Sequence, residues 1–452
     1  MPLSFVYLGI MFLAIIVWFA VLKRPVYEAM LLTFLLLVTI TGKWGSALSY
    51  IDTALSEPLL YSMVAFVAMS IVLTKTKLID SCIAIILSLI GRVTGGAGYA
   101  AVVASAFMGS LSGSGPGNVM ATGSITVPAM KGSGIPAHLA ANIVSNSSYM
   151  GNMIPPSANA VAALGAFAMV YPQAGLTEGK FWIILWGVSI WFILQRIIMV
   201  WSFCKYYKVK PMAKEDLPKL SEVLRKGWKG LLLPLIIILP FALDYLLKDT
   251  FFTARLGAEG AKFFSKSTLW FTGGLATIYM CFAAEDKKTV SIKNLAKMFG
   301  DGIKTIAPTI GVCVFGYMVG ALFTDIKAAE EMGSVITNWG FGKLGTVIAV
   351  CAITCFMGMV VPGSTLVQMF GPTFIIVLAS VGCNPLLVAA MLPCICGVMC
   401  GITPPLGLGM YAGMTLAESD FSKTFRNNLW WVAAQFILQV IVLMGWLPIL
   451  GL

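Results

Sequence analysis

Two stretches of this chain carry almost no charge, yet both are cut repeatedly by residues that end helices. Residues 93–177 contain one Asp, Glu, Lys or Arg side chain, Lys131, and the 74 residues of 344–417 contain none. Segments so poor in charge belong in hydrocarbon, where a helix satisfies its own backbone polar groups. Gly, Pro, Ser and Asn nonetheless interrupt them. Irregular backbone at membrane depth is tolerated only where it lines a cavity or lies buried in protein. A chain with two such regions has to fold around broken helices inside a bilayer.

The first region divides into two motifs. Residues 97–131 form apolar runs on either side of Ser112-Gly113-Ser114-Gly115-Pro116-Gly117. Each run is about 14 residues, or roughly 21 Å of helix, against a hydrocarbon core of about 30 Å. This spacing predicts a re-entrant hairpin that enters and leaves on one side. Residues 136–170 are long enough to cross but are interrupted by Ile154-Pro155-Pro156, which predicts a spanning helix broken at mid-membrane.

The second region repeats the plan at a constant offset of 249 residues. Gly109 falls on Gly358, Pro136 on Pro385, Ala140-Ala141 on Ala389-Ala390, and Pro155-Pro156 on Pro404-Pro405. The predicted second hairpin is 346–381 with its tip at Val361–Leu366, and the second broken helix is 385–418. Such self-similarity marks an internal duplication. It divides the chain into a first repeat (1–203), a basic connector (204–229) and a second repeat (230–452).

Only 11% of the 452 residues are charged, too few to cover a soluble globule. That excludes cytosolic enzymes, nucleic-acid binders and secreted modules. Further apolar runs lie near 4–22, 27–42, 57–74, 181–203, 230–247, 268–283, 305–323 and 428–448. With 23–26 placed inside, the stretches 23–26, 75–96, 131–135, 204–229, 284–304 and 419–427 hold 21 of the 30 Lys and Arg. Basic residues favour the cytoplasmic side, so the net charge of +11 reports orientation and not a nucleic-acid partner. Five crossings in the first half invert the second. The expected fold is an all-α polytopic membrane protein of about ten spans with two re-entrant hairpins and inverted-topology repeats. Segments 78–91 and 325–341 are expected to lie along the interface as arms.

The uncharged centre lacks the parts of an enzyme. The single histidine, His138, sits at the inner end of a broken helix, Asp244 stands alone near the end of a span, and Arg196 lies within one. The tip serines have no His or Lys partner in sequence, and the ten cysteines read as apolar packers, not metal ligands. Small-ion binding needs none of these groups. Two tips and two breaks brought together offer carbonyl, hydroxyl and amide oxygens to a cation, and half-helix N-termini to an anion. The candidates are Ser112, Ser114 and Asn118 at the first tip, and Ser364 and Thr365 at the second. Gly151, Asn152 and Ile154 flank the first break, with Cys400, Gly401 and Thr403 at the second. Asn142 and Asn146 share a helix face, either bonding across helices or lining the cavity.

At these residues the chain resembles a known family. SGSGPGNVMATGSITVPAMK (112–131), MGNMIPPS (150–157) and GITPPLGLGMYAGM (401–414) are similar to the large, DctM-like permease subunit of tripartite ATP-independent periplasmic (TRAP) transporters. The resemblance implies a Na⁺-driven importer of a small organic acid in the bacterial inner membrane. Its hairpins would ride on a transport domain that slides, elevator-fashion, against a scaffold of outer helices. It implies two partners, a small DctQ-like membrane subunit and a periplasmic substrate-binding protein. Carried over by position, one Na⁺ site would use Ser112, Ser114, Gly151, Ile154 and Pro156. The other would use Gly363, Ser364, Cys400 and Thr403, with solute contacts at Asn118, Asn152, Thr365 and Gly401. Cys400 stands where a glycine is commoner, a change that a backbone carbonyl ligand survives. A stand-alone Na⁺-coupled anion carrier and a channel are the competing readings.

Overall fold

A computed structural model describes residues 3–56, 58–76, 78–112, 115–172, 174, 176–212, 215, 217–328, 331, 342–359, 363–404 and 407–452. Several sequence expectations fall outside this set: Gly113 and Ser114 of the first tip, Val361 and Pro362 of the second, Pro405, and 332–341 of the second arm. The side chain of Ser112 is outside it as well.

Among the described residues the secondary structure is entirely helical. The first half comprises α1 (Leu3–Ile16), α2 (Val26–Thr41), α3 (Ala47–Leu55), α4 (Pro58–Lys75), α5 (Leu78–Ile90), α6 (Gly96–Ser112), α7 (Gly115–Gly132), α8 (Ala137–Met150), α9 (Ala158–Val170) and α10 (Glu178–Tyr206). Next come α11 (Leu220–Leu247), α12 (Thr253–Ala283), α13 (Ile292–Asp325), α14 (Lys343–Gly358), α15 (Gly363–Ser380), α16 (Pro385–Leu392), α17 (Met399–Ile402), α18 (Leu408–Ala417) and α19 (Phe421–Leu443). A short π-helix, Pro393–Val398, joins α16 to α17. Helix α12 bends at Gly257, whose φ of 72° suits a residue without a Cβ.

The four hairpin arms, α6, α7, α14 and α15, run 16 to 18 residues, longer than the sequence spacing predicts. Pro128 and Pro372 are carried inside α7 and α15 without ending them. Gly115-Pro116 also starts α7 directly at the tip, where proline's missing N–H has no helical partner to lose. At about 1.5 Å per residue the arms reach roughly 24 to 27 Å.

Five described segments are long and apolar enough to cross a membrane: Ala137–Val170, Glu178–Tyr206, Gly227–Asp244, Gly363–Ser380 and Pro385–Ile402. Seven shorter apolar helices accompany them. Burial separates centre from periphery. The apolar window of Ala137–Val170 is 78% buried and that of Pro385–Ile402 is 89% buried, whereas that of Gly227–Asp244 is only 33% buried. The broken helices therefore form the core. Leu235, Ile238 and Leu239 of α11 and Phe271 and Phe282 of α12 present an apolar face outward, as a lipid-facing helix must.

The two halves interlock in this core. Helices α7 and α8 of the first half pack against α18 of the second, and α15 of the second packs against α9 of the first. Around them α13 packs on α2, α3 and α4, while α11 packs on α5 and α12. Polar contacts at the helix ends join segments that the distribution of basic residues assigns to the same side. Lys131 meets Glu418 at 3.3 Å and His138 Nε2 meets the Tyr207 hydroxyl at 3.1 Å on one side. On the other, Lys43 pairs with Asp325 at 2.9 Å, and the Tyr50 hydroxyl donates to the same carboxylate at 2.6 Å. The Tyr50 hydrogen bond, aided by Lys43, holds the Asp325 carboxyl below its ordinary pKa.

Candidate functional site

The breaks follow from proline chemistry. A proline has no N–H to donate to the carbonyl four residues earlier. Pro155-Pro156 therefore releases the carbonyls of Gly151 and Asn152 from helical bonding, and Pro404-Pro405 releases those of Cys400 and Gly401. At the first break α8 gives way to a 3₁₀ turn, Gly151–Met153, and Ile154 is extended. The Ile154 N–H bonds the Gly151 carbonyl at 3.0 Å, and the Ser157 hydroxyl donates to the Asn152 carbonyl while capping α9. At the second break Thr403 is likewise extended, with its hydroxyl donating to the Met399 carbonyl at 2.6 Å. The Gly407 N–H bonds the Thr403 carbonyl at 3.0 Å.

Each hairpin presses against its own break at a pair of residues related by the 249-residue offset. A Cβ on Gly109 would lie 2.5 Å from the Gly151 Cα, so α6 meets the first break backbone to backbone. A Cβ on Gly358 would lie 3.1 Å from the Cys400 Cα, a looser version of the same contact. Cys400 uses its thiol here. Sγ accepts the Gly363 N–H at 3.0 Å and donates to the Gly397 carbonyl at 3.1 Å, tying the start of α15 to the break.

Side chains close the first site through a buried network. Asn118 Nδ2 donates to the carbonyls of Ser105 at 2.8 Å and Ser148 at 3.1 Å, joining α7 to α6 and α8. The Ser105 and Thr122 hydroxyls are 3.0 Å apart, and Thr122 donates to the Asn118 carbonyl at 2.7 Å. Asn118 Oδ1 and Asn152 Oδ1 are buried with no hydrogen-bond partner among the described residues. Orphaned oxygens of this kind are costly in a dry interior unless something binds them.

The structure brings Asn118, Gly151, Asn152 and Ile154 into one buried cluster around the first break. It brings Gly363, Cys400, Gly401 and Thr403 into another, with Thr365 buried and Ser364 half-buried on the first turn of α15. The breaks touch: Asn159, beyond the first, has its Nδ2 against Gly397, before the second. Asn142 and Asn146 bond across helices. Asn142 Nδ2 donates to the Thr424 carbonyl and to Asn427 Oδ1, each at 2.9 Å, and Asn146 Nδ2 donates to Asn428 Oδ1 at 3.0 Å.

Three residues here had no reading in sequence. Asn428 Nδ2 donates to the Ile402 carbonyl at 2.5 Å, tying off a carbonyl beside the second break. Ser189 Oγ does the same for Met153, the offset counterpart of Ile402, at 3.5 Å. Tyr149 lies against Gly115, Gly401 and Gly409 at once. Those three helical glycines, none required by a turn, are the signal that a large side chain packs on them.

Two interlocked repeats, each a hairpin laid on a broken helix, match the family described as "Tripartite ATP-independent periplasmic transporter, DctM component" over residues 9–450. The chain belongs to the DctM family. It is 24% identical over 358 residues to the C4-dicarboxylate TRAP transporter large permease protein DctM of Pseudomonas aeruginosa, covering 78% of this chain and 76% of that protein. It is 22% identical over 368 residues to the sialic acid TRAP transporter large permease protein SiaM of Vibrio cholerae, covering 78% and 77%. In fold it is similar to MtrF of Neisseria gonorrhoeae, with a TM-score of 0.62, 15% identity and coverage of 90% of this chain and 85% of that one. The DctM family and these two relatives are transport components and not enzymes. A large permease of this family is one part of a tripartite system that includes a membrane partner and a periplasmic binding protein.

Proposed function

We propose that this DctM-family permease imports a small organic acid by coupling it to Na⁺, with the two hairpins and broken helices moving as one transport body. The observation that carries the reading is the donor set. Paired prolines release backbone carbonyls from helical bonding at both breaks, beside hairpin tips, in regions with almost no charged side chain. Neutral oxygens at unwound helix ends suit a hard monovalent cation, and the orphaned Oδ1 atoms of Asn118 and Asn152 are acceptors left open to a donor group of the solute. The first Na⁺ site is assigned to Ser112, Ser114, Gly151, Ile154 and Pro156, and the second to Gly363, Ser364, Cys400 and Thr403. Asn118, Asn152, Thr365 and Gly401 are assigned to solute.

The solute is a carboxylate on this reading, in keeping with the C4-dicarboxylate and sialic acid named for the two relatives. With no Lys or Arg beside the tips, the N-termini of α7, α9, α15 and α18 supply the positive potential. The contrast in burial between the core of broken helices and the exposed outer helices supports an elevator movement. A DctQ-like subunit would bind the scaffold, and a periplasmic binding protein would deliver the solute to the outer face of the inner membrane. Proteoliposomes holding the complete tripartite system test this, with radiolabelled succinate and sialic acid as probes. Uptake that requires both an inward Na⁺ gradient and the binding protein is the expected result. Solute uptake by the permease alone would indicate a self-sufficient carrier, and ion current without solute a channel.

A further inference from the structure

Tyr149 sits on the last turn of α8, just before the first break, and is 5% exposed. Its ring is packed so closely against three glycines that a Cβ on any of them would overlap it. Gly115 is the first residue of α7, at the first hairpin tip. Gly401 belongs to the second break, and Gly409 lies on the first turn of α18 just beyond it. One aromatic side chain from the first repeat thus bears on the first tip and on both sides of the second break. The 249-residue offset puts Val398 at the equivalent place in the second repeat, opposite Ser364 and Asn152 where Tyr149 has Gly115 and Gly401. The second repeat has no aromatic ring at that place.

Close packing makes such a ring a mechanical link, since a packed core passes on displacement and does not absorb it. We propose that Tyr149 is a positioning strut that couples the two ion sites, so that a cation bound at the first break holds the ring against Gly401 and prepares the second break for the next. This rests on the assignment of Na⁺ sites to the two breaks. The cost of fixing the shared ring is met once, by the first ion, so the second binds more readily. The role belongs to the ring and not to the hydroxyl.

Equilibrium binding of radiolabelled Na⁺ to the purified full-length permease in nanodiscs tests the proposal without any solute. Gel filtration and thermal melting verify the fold of each variant. The wild type is expected to bind Na⁺ with a Hill coefficient above unity, and Tyr149→Phe to match it. Tyr149→Ala is expected to keep the binding capacity, lose the cooperativity, and raise half-saturation by about fivefold. Where the alanine variant fails to fold, Tyr149→Leu fills part of the space and takes its place, with the same loss of cooperativity expected. Gly401→Ala is expected to weaken Na⁺ binding on its own and to be partly rescued by Tyr149→Ala, because the clash is with the ring. Non-cooperative binding by the wild type, an unchanged isotherm for the alanine or leucine variant, or a phenylalanine variant as impaired as alanine would overturn the strut. No Na⁺ binding by the wild type would instead overturn the ion-site assignment beneath it.

Discussion

The first and second breaks share a backbone plan and differ in what holds it. At the first, two glycines, Gly109 and Gly151, let a hairpin arm meet the break backbone to backbone. At the second, the matching pair is Gly358 and Cys400, the contact is looser, and the thiol reaches over to hold the next tip at Gly363. The carbonyl that each break must close is tied by different means as well, weakly by Ser189 at 3.5 Å for Met153 and tightly by Asn428 at 2.5 Å for Ile402. Duplication preserved the positions where proline removes a donor. The side chains that respond to that loss then diverged, with Ser157 and Asn118 bonding carbonyls around the first break and Cys400 and Asn428 around the second.

The largest expected effect separates the halves at the glycine pairs. Gly151→Ala drives a Cβ into the backbone of Gly109, which cannot move without shifting α6, at a cost of about 3 kcal/mol. Gly358→Ala meets Cys400 at 3.1 Å, where a small adjustment suffices, and is expected to cost about 1 kcal/mol. Thermal melting of the purified variants measures both, with solute uptake read alongside. Equal losses would mean that the two contacts are equivalent and the contrast is wrong.

Next in size are the carbonyl ties. Asn428→Ala strips the donor from the buried Ile402 carbonyl and leaves Asn146 Nδ2 with the Asn142 carbonyl as its remaining acceptor. A loss of about 2 kcal/mol is expected. Ser189→Ala removes a long, weak bond and is expected to change melting by less than about 0.5 kcal/mol. A serine variant as damaging as the asparagine one would show that the first break depends on its tie as much as the second does.

These contrasts also show what sequence could and could not reveal. The breaks were legible because proline's missing N–H is a local fact, and the hairpin feet were legible because Gly, Pro and charge return there: 97–131 is observed as Gly96–Gly132. Arm length was not, since Gly115-Pro116-Gly117 reads as part of the tip and is instead the start of α7. Asn142 and Asn146 were recognisable as sharing a face, but their partners Asn427 and Asn428 lie more than 280 residues away, and no local pattern announces a pair so distant. Tyr149 was hidden for the opposite reason. An aromatic residue at a helix end reads as ordinary packing until the three glycines are seen to converge on it.

The thiol of Cys400 gives a smaller effect. Cys400→Ser keeps an acceptor for the Gly363 N–H and is expected to transport within about twofold of the wild type. Cys400→Ala leaves that N–H unmatched and is expected to cost about 1 kcal/mol, with a matching loss of Na⁺ affinity. An alanine variant with unchanged Na⁺ dependence would mean that the second tip does not rely on the thiol.

The smallest effect lies at the hairpin feet, where the halves differ in charge. Lys131, at the foot of the first hairpin, reaches the Ala417 carbonyl at 3.2 Å and the Glu418 carboxylate at 3.3 Å, at the C-terminus of α18. Its offset counterpart, Ser380, turns its hydroxyl back to the Val377 carbonyl of its own helix. Glu418 is largely exposed, so the ion pair itself is screened, and Glu418→Gln is expected to leave melting unchanged. Lys131→Met also removes the cation from a helix C-terminus, a loss of about 0.5 kcal/mol at low salt that fades as salt is raised. If Glu418→Gln were as destabilising as Lys131→Met, the carboxylate and not the helix end would be what Lys131 holds. A cation that binds mainly a helix end needs no acidic partner, and a centre that binds Na⁺ without a carboxylate would extend the same economy from the foot of the hairpin to its tip.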